Sequence, residues 1–402
     1  MRHRLPLATL LFSLAAAVAL HGADRAPFRV IYSDDTTHIL SCPSPFKPEK
    51  SSMREKFIWA AVDEVADAGV DACMLQPGLG WVPWWKSEIV PIKEHLAFLE
   101  KMGQNMTSYD RFVLNGGDMV QSFLQQCAIR QKPGFISIRL NDVHHVWRAL
   151  VNMGVEDREK AMAEFQFFAD NPDARIGPGL KGDQRMQYAM DWGNPKVPEH
   201  KFRLIEELIK NYDLDGLELD FMRHVTRFNP TRTTKEQRAQ IMTDFAARVR
   251  KALDENMRDG KRPWLCVRIP GYREEFDESG VDLKALCAAG VDMFNLSNYY
   301  FCDMQMEVPE IRAELPQDKA VYSEIHYVTA NGITDPETQT GQWKRTEPAQ
   351  MRTIAHMAYA RGAQGVSFFN FPYYRGTHTG VDKLGAIAGG NAEPPWDAIK
   401  DL

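Results

Sequence analysis

The feature that most constrains this chain is a rhythm, in which short apolar runs recur along it and amphipathic helical stretches separate them. Eight runs have strand character: residues 28–32, 70–75, 134–140, 214–220, 264–269, 291–297, 320–325 and 365–370. They are short and apolar, and several end in a polar or aromatic cluster. Between them, stretches such as 53–68, 199–211, 234–257 and 348–361 repeat apolar residues three and four apart, the spacing of one helix face. Several helices run directly into a Gly-Val-Asp or Leu-Asp-Gly start of the next strand, at Gly69-Val70-Asp71, Leu214-Asp215-Gly216 and Gly290-Val291-Asp292. Eight strands alternating with helices predict an α/β fold, a single closed (β/α)8 barrel. Long loops are expected after strand two, over 78–133, and after strand three, over 141–198. An open doubly wound sheet is the rival, but no Gly-rich phosphate loop follows the first strand. No Pro-, Gly- or Ser-rich linker divides the chain, so residues 24–402 are read as one domain.

The N-terminus reads as a targeting segment. Arg2, His3 and Arg4 precede an apolar stretch from Leu5 to Leu20, and small residues follow before charge appears at Asp24. That is the pattern of a secretory signal peptide over residues 1–23, which predicts an exported protein with no membrane insertion after cleavage. The six cysteines are scattered without CxxC pairs, and Cys73 and Cys266 lie inside apolar strand runs where buried thiols are common. Structural zinc is not expected. A net charge of −6 argues against a nucleic-acid partner, because phosphate binding needs a basic face. The sequence leaves the oligomeric state open.

In such a barrel, side chains alternate between the interior and the helix layer, and the C-terminal ends of the strands face the working site. In the fourth strand Leu217, Leu219 and Phe221 should face the helices, while Glu218, Asp220 and Met222 face inward. Inward carboxylates are costly unless they are paired or functional. An interior arginine, Arg139 or Arg268, is the structural partner expected for Glu218, whereas Asp220, at the strand end, reads as functional. In the seventh strand Tyr322, Glu324 and His326 share the inward parity. A carboxylate pair across a cleft is what glycosidic cleavage needs: one protonates the leaving oxygen while the other attacks the anomeric carbon or activates water.

Other polar residues collect at strand ends: Asn141 and His144, Arg223 and His224, Asn298 and Tyr299, and Asn370. With Arg139, Arg268 and His326 they form an inventory suited to binding sugar hydroxyls. The run Gly80-Trp81-Val82-Pro83-Trp84-Trp85 follows strand two, and Trp81, Trp84 and Trp85 are expected to be exposed for stacking on pyranose rings. Asp142, His144, His145, His224 and His326 are potential metal ligands, but no HExxH helix or HxH pair accompanies them. No metal or other cofactor is expected.

The segment Asp215-Gly216-Leu217-Glu218-Leu219-Asp220-Phe221-Met222-Arg223 resembles a strand of the bacterial exported glycosyl-hydrolase-like (family 10-like) TIM-barrel proteins. That strand has the pattern Asp-Gly-apolar-x-apolar-Asp-aromatic-x-Arg. The resemblance implies that Asp220 is catalytic, with Arg223 and His224 as sugar or carboxylate partners. Acidic groups on strands four and seven are also similar to the arrangement of the large retaining glycosidase clan, although Leu219-Asp220 stands where that clan has Asn-Glu. The expectation is an exported glycoside hydrolase of poly- or oligosaccharides, with Asp220 or Glu218 as acid/base and Glu324 as nucleophile or base. A polysaccharide lyase and a non-catalytic carbohydrate-binding barrel are the alternatives.

Overall fold

The computed structural model describes residues 26–44, 52–78, 80–146, 160, 162–180, 184–299, 302–334, 341–375 and 392–402. The expected signal peptide, residues 1–23, lies outside the described residues.

Eight parallel strands close into a barrel. In chain order they are β1 (Val30–Asp35), β2 (Ala72–Gln76), β3 (Gly134–Arg139), β4 (Gly216–Asp220), β5 (Trp264–Pro270), β6 (Met293–Ser297) and β7 (Ala320–His326). A two-stranded antiparallel hairpin, β8 (Val328–Thr334) and β9 (Gly341–Arg345), follows β7 before β10 (Gly365–Phe369) closes the barrel against β1. All eight sequence-derived strands fall on barrel strands. The hairpin was not anticipated. The helices at Glu55–Asp67, Lys196–Asn211, Lys235–Glu255 and Pro348–Ala360 also fall where the periodicity placed them.

Local chemistry explains several of these boundaries. Thr234 caps the Lys235–Glu255 helix by accepting from Gln237 N, and Gln237 returns a bond to the Thr234 N–H, a capping box. The aspartates at the strand starts serve the neighbouring strands. Asp71 accepts from the N–H groups of Arg29 and Val30, Asp215 from Gly134 N, and Asp292 from Leu265 N. Each satisfies backbone donors at the bottom of the barrel, where the sheet begins. Gly216 is required for a different reason: a Cβ there would lie 2.1 Å from the Phe135 ring.

The alternation separates two cores. Leu217, Leu219, Val267, Ile269, Phe294, Leu296, Val321 and Phe368 point outward and pack with helix residues such as Phe57, Phe123, Ile205, Leu208 and Phe245. Inside the barrel, a smaller cluster forms an apolar floor that includes Phe28, Ile31, Ala72, Met74, Phe135, Met293 and Ala320. Above it the interior turns polar, through Ser33, Ser137, Glu218, Asn295 and Ser367, and then charged.

Candidate active site

The charged layer is built by register. Cross-strand pairing sets Asp220 level with Arg139 on one side and Arg268 on the other. Arg268 donates twice to Glu324, from Nε at 2.6 Å and from Nη2 at 2.7 Å, and its Nη1 donates to Asp220 Oδ1 at 3.1 Å. One guanidinium therefore bridges the carboxylates of β4 and β7, and the Phe369 ring lies 4.7 Å beneath its central carbon. Ser297 Oγ donates to Glu324 Oε1 at 2.6 Å, Gln76 Nε2 to Asp220 Oδ2 at 3.0 Å, and Met222 N to Asp220 Oδ1 at 2.8 Å.

A second clamp mirrors the first. Arg139 donates to Asp35 at 2.6 Å and to Asp142 at 2.9 Å. Its Nε reaches Gln76 Oε1 at 2.9 Å, so Gln76 ties the two clamps together. All of these side chains are buried. Burial opposes the charge on both arginines, yet the flanking carboxylates hold each guanidinium above its ordinary pKa.

Counting acceptor sites shows what remains for chemistry. A carboxylate oxygen can accept about two hydrogen bonds. Asp220 Oδ1 takes Arg268 and Met222 N, and Glu324 Oε1 takes Arg268 and Ser297. Among the described residues, Asp220 Oδ2 takes only Gln76, and Glu324 Oε2 only Arg268 Nε. Each carboxylate keeps one oxygen with spare acceptor capacity.

Glu218 stands apart. It is fully buried one layer below Asp220, and the direct ion pair expected with Arg139 or Arg268 is replaced by neutral donors. These are Ser137 Oγ at 2.7 Å, Asn295 Nδ2 at 3.2 Å and Cys266 Sγ at 3.4 Å. Burial, and then the charge of Asp220, push its pKa up to about 7. It belongs to the polar middle of the barrel, beneath the carboxylates of the mouth.

At the rim, Asp142 accepts from both the backbone N–H of His144, at 2.9 Å, and its ring Nδ1, at 2.7 Å. Arg223 approaches the far ring nitrogen of His144, and His224 meets the same ring edge-on. The His144 side chain is 28% exposed. Burial and the Arg223 charge lower its pKa, while burial takes that of His224 well down. The neighbouring aromatic contacts hold His326 between Tyr327 and Phe369.

Asn370, at φ 59°, accepts from Asp35 N and so fixes the top of β1 against β10. Tyr299, at φ 50°, is half-buried at the end of β6; non-glycine residues in this left-handed region concentrate at functional sites. Asn298 donates to Asp303 and Asn141 to Thr226 O.

The tryptophan expectation is corrected. Trp81, Trp84 and Trp85 are only 2%, 6% and 4% exposed. Trp81 stacks on Phe165, donates to Asp142 O, and lies 3.5 Å beneath the Lys201 ammonium. Trp84 stacks on Tyr109, and Trp85 donates to Glu207. The rings pack the long insertion against the barrel, joining the outer core beside the Lys196–Asn211 helix. Gly80 permits that packing: its φ is +85°, and a Cβ there would meet Arg139 O at 2.5 Å.

Asp35 and Gln76 were missed. The first strand was ended at Tyr32 and the second at Leu75, yet extending each alternation would have carried Asp35 and Gln76 inward. The six cysteines, two of them expected to be buried thiols, are all free. Among the described residues, no group of three or more His, Cys, Asp or Glu is arranged to hold a metal ion.

Fold and site together define a (β/α)8 barrel with an arginine-bridged carboxylate pair at the C-terminal ends of its strands. No protein-family model matches the chain, and no curated protein matches its sequence. Among solved structures it is similar to the PgaB (BpsB) glycoside hydrolase domain from Bordetella bronchiseptica, with a TM-score of 0.51 and 11% identity over 86% of this chain and 95% of that one. The Group II chitinase catalytic domain 2 from Ostrinia furnacalis gives a TM-score of 0.47 at 10% identity, covering 94% and 96%. The GH20 β-N-acetylhexosaminidase from Streptomyces coelicolor A3(2) gives 0.47 at 11%, covering 86% and 60%. At 11% identity the likeness to the PgaB domain is one of fold alone, the closed (β/α)8 barrel.

Proposed function

We propose that this chain is an exported glycoside hydrolase that cleaves O-glycosidic bonds in a poly- or oligosaccharide, with Asp220 and Glu324 as its working carboxylates. One observation carries the reading: two inward carboxylates, on β4 and β7, share the Arg268 guanidinium and each retains an oxygen with spare acceptor capacity. Glycoside hydrolysis needs two such groups flanking the bond, one to protonate the leaving oxygen and one to attack the anomeric carbon or activate water. Asp220 takes the acid/base role and Glu324 that of nucleophile or base. The fold of the PgaB domain is the fold on which this chemistry would stand. Arg223, His224, Asn298, Tyr299 and Asn370 supply polar groups around the mouth for sugar hydroxyls. Export rests on the N-terminal pattern, and N-terminal sequencing of protein recovered from outside the cytoplasm checks it.

The test is reducing-end release from a panel of neutral, sulfated and uronic-acid polysaccharides. Release from at least one polymer supports the reading, and binding without release moves the protein to the carbohydrate-binding alternative. A second chemistry, elimination at a uronate, is favoured by the partly exposed His144, whose ring Asp142 orients and whose Nε2 Arg223 approaches, a candidate base beside a cation for the uronate. Products that absorb in the ultraviolet, from a new C=C bond, would identify it.

A further inference from the structure

Gln76 closes β2 with its side chain buried between the two arginine clamps. An arginine N–H can only donate, so the amide oxygen must face Arg139 and the NH2 group must face Asp220. The structure has it so, with Oε1 accepting from Arg139 Nε at 2.9 Å and Nε2 donating to Asp220 Oδ2 at 3.0 Å. Arg139 is itself immobilised, its other two nitrogens held by Asp35 and Asp142.

The consequence falls on Asp220. Oδ1 is saturated by Arg268 and Met222 N, while among the described residues Oδ2 accepts from Gln76 alone. The direction in which Oδ2 offers its remaining lone pair is therefore set by the amide.

We infer that Gln76 is a positioning residue, which aims Asp220 Oδ2 at the reacting bond and is itself anchored through Arg139 by Asp35 and Asp142. This rests on the acid/base role given to Asp220 above. Glutamine suits the task because it presents a donor to the carboxylate and an acceptor to the arginine without adding charge. Gln76 bonds to Asp220 on β4, Arg139 on β3 and Ser137, and through these it is linked to Arg268, to Asp35 and Asp142, and to Glu218.

Two substitutions test it, Gln76→Leu and Gln76→Glu, each assayed for kcat and KM across pH on a saccharide the wild type cleaves. Gln76→Leu removes the aim and should lower kcat by about 10²-fold, as a misplaced group does, with KM changed by less than about threefold. In Gln76→Glu the new carboxyl lies against Asp220. Protonated, it still donates to Oδ2; ionised, it repels. Its kcat should approach the wild-type value in acid and fall as pH rises through a range where the wild type stays flat. Equal losses in both variants at every pH, or no loss in either, would overturn the inference. Should the wild type cleave nothing, the hydrolase reading fails, and thermal unfolding then decides the Gln76–Asp220 contact. A melting deficit of Gln76→Glu that grows with pH, as repulsion between the new carboxylate, once ionised, and Asp220 requires, supports it, and a pH-independent deficit overturns it.

Discussion

The floor and the mouth of one barrel obey different rules. At the floor, Phe28, Ile31, Phe135 and Met293 fill space, and the only specific demand is volume, seen where Gly216 yields to Phe135. At the mouth, the same alternation on the same strands places Asp35, Arg139, Asp220, Arg268 and Glu324, and the demand becomes charge balance and hydrogen-bond count. Parity decides that a residue points inward; depth along the strand decides whether it meets carbon or charge. Positions near the C-terminal ends of the strands are therefore the ones where substitutions should separate activity from stability.

The widest separation is expected at Asp220. Asp220→Asn keeps the shape and the Arg268 contact at Oδ1 but turns its NH2 against that of Gln76; it should lower turnover by about 10²- to 10⁴-fold, with a loss of unfolding free energy smaller than that of removing Arg268. Steady-state kinetics beside urea unfolding measures both. Arg268→Met goes the other way in stability. It leaves two buried carboxylates without their cation, at a cost of about 3–5 kcal/mol in denaturant unfolding. Met293→Ala in the floor opens a cavity at about 2–5 kcal/mol, but turnover per folded molecule should remain at the wild-type level.

An effect of comparable size, on the order of 3 kcal/mol but spread over a pH range, belongs to Glu218, whose folded pKa is raised to about 7. A raised carboxyl contributes stability below its unfolded value and loses that contribution as pH rises through the folded one. Wild-type stability should therefore carry a component that declines between about pH 4.5 and pH 7. Glu218→Gln should flatten it, as thermal melts across that range would show.

The barrel was legible because its evidence is repeated: eight apolar runs with helices between them leave few alternatives. Asp220 and Glu324 were legible through parity within a single strand. Gln76 and Asp35 were not, because strand ends are where propensity fades: Gln76 lies one residue and Asp35 three residues beyond the last apolar residue of its run. The tryptophans misled because a loop of more than fifty residues was read as surface, although an insertion that size carries helices, such as Ile92–Lys101 and Met119–Ile129, and buries its own rings. Glu218 was placed inside correctly, but its neutral partners Ser137, Cys266 and Asn295 come from three other strands, and only register brings them together.

The most direct test of the account is the turnover of Glu324→Gln and Asp220→Asn on a saccharide that the wild type cleaves, normalised to folded protein and set beside Met293→Ala. The account expects both mouth variants to lose at least about 10²-fold while the floor variant keeps full turnover. Cleavage at wild-type rates by either mouth variant would contradict it.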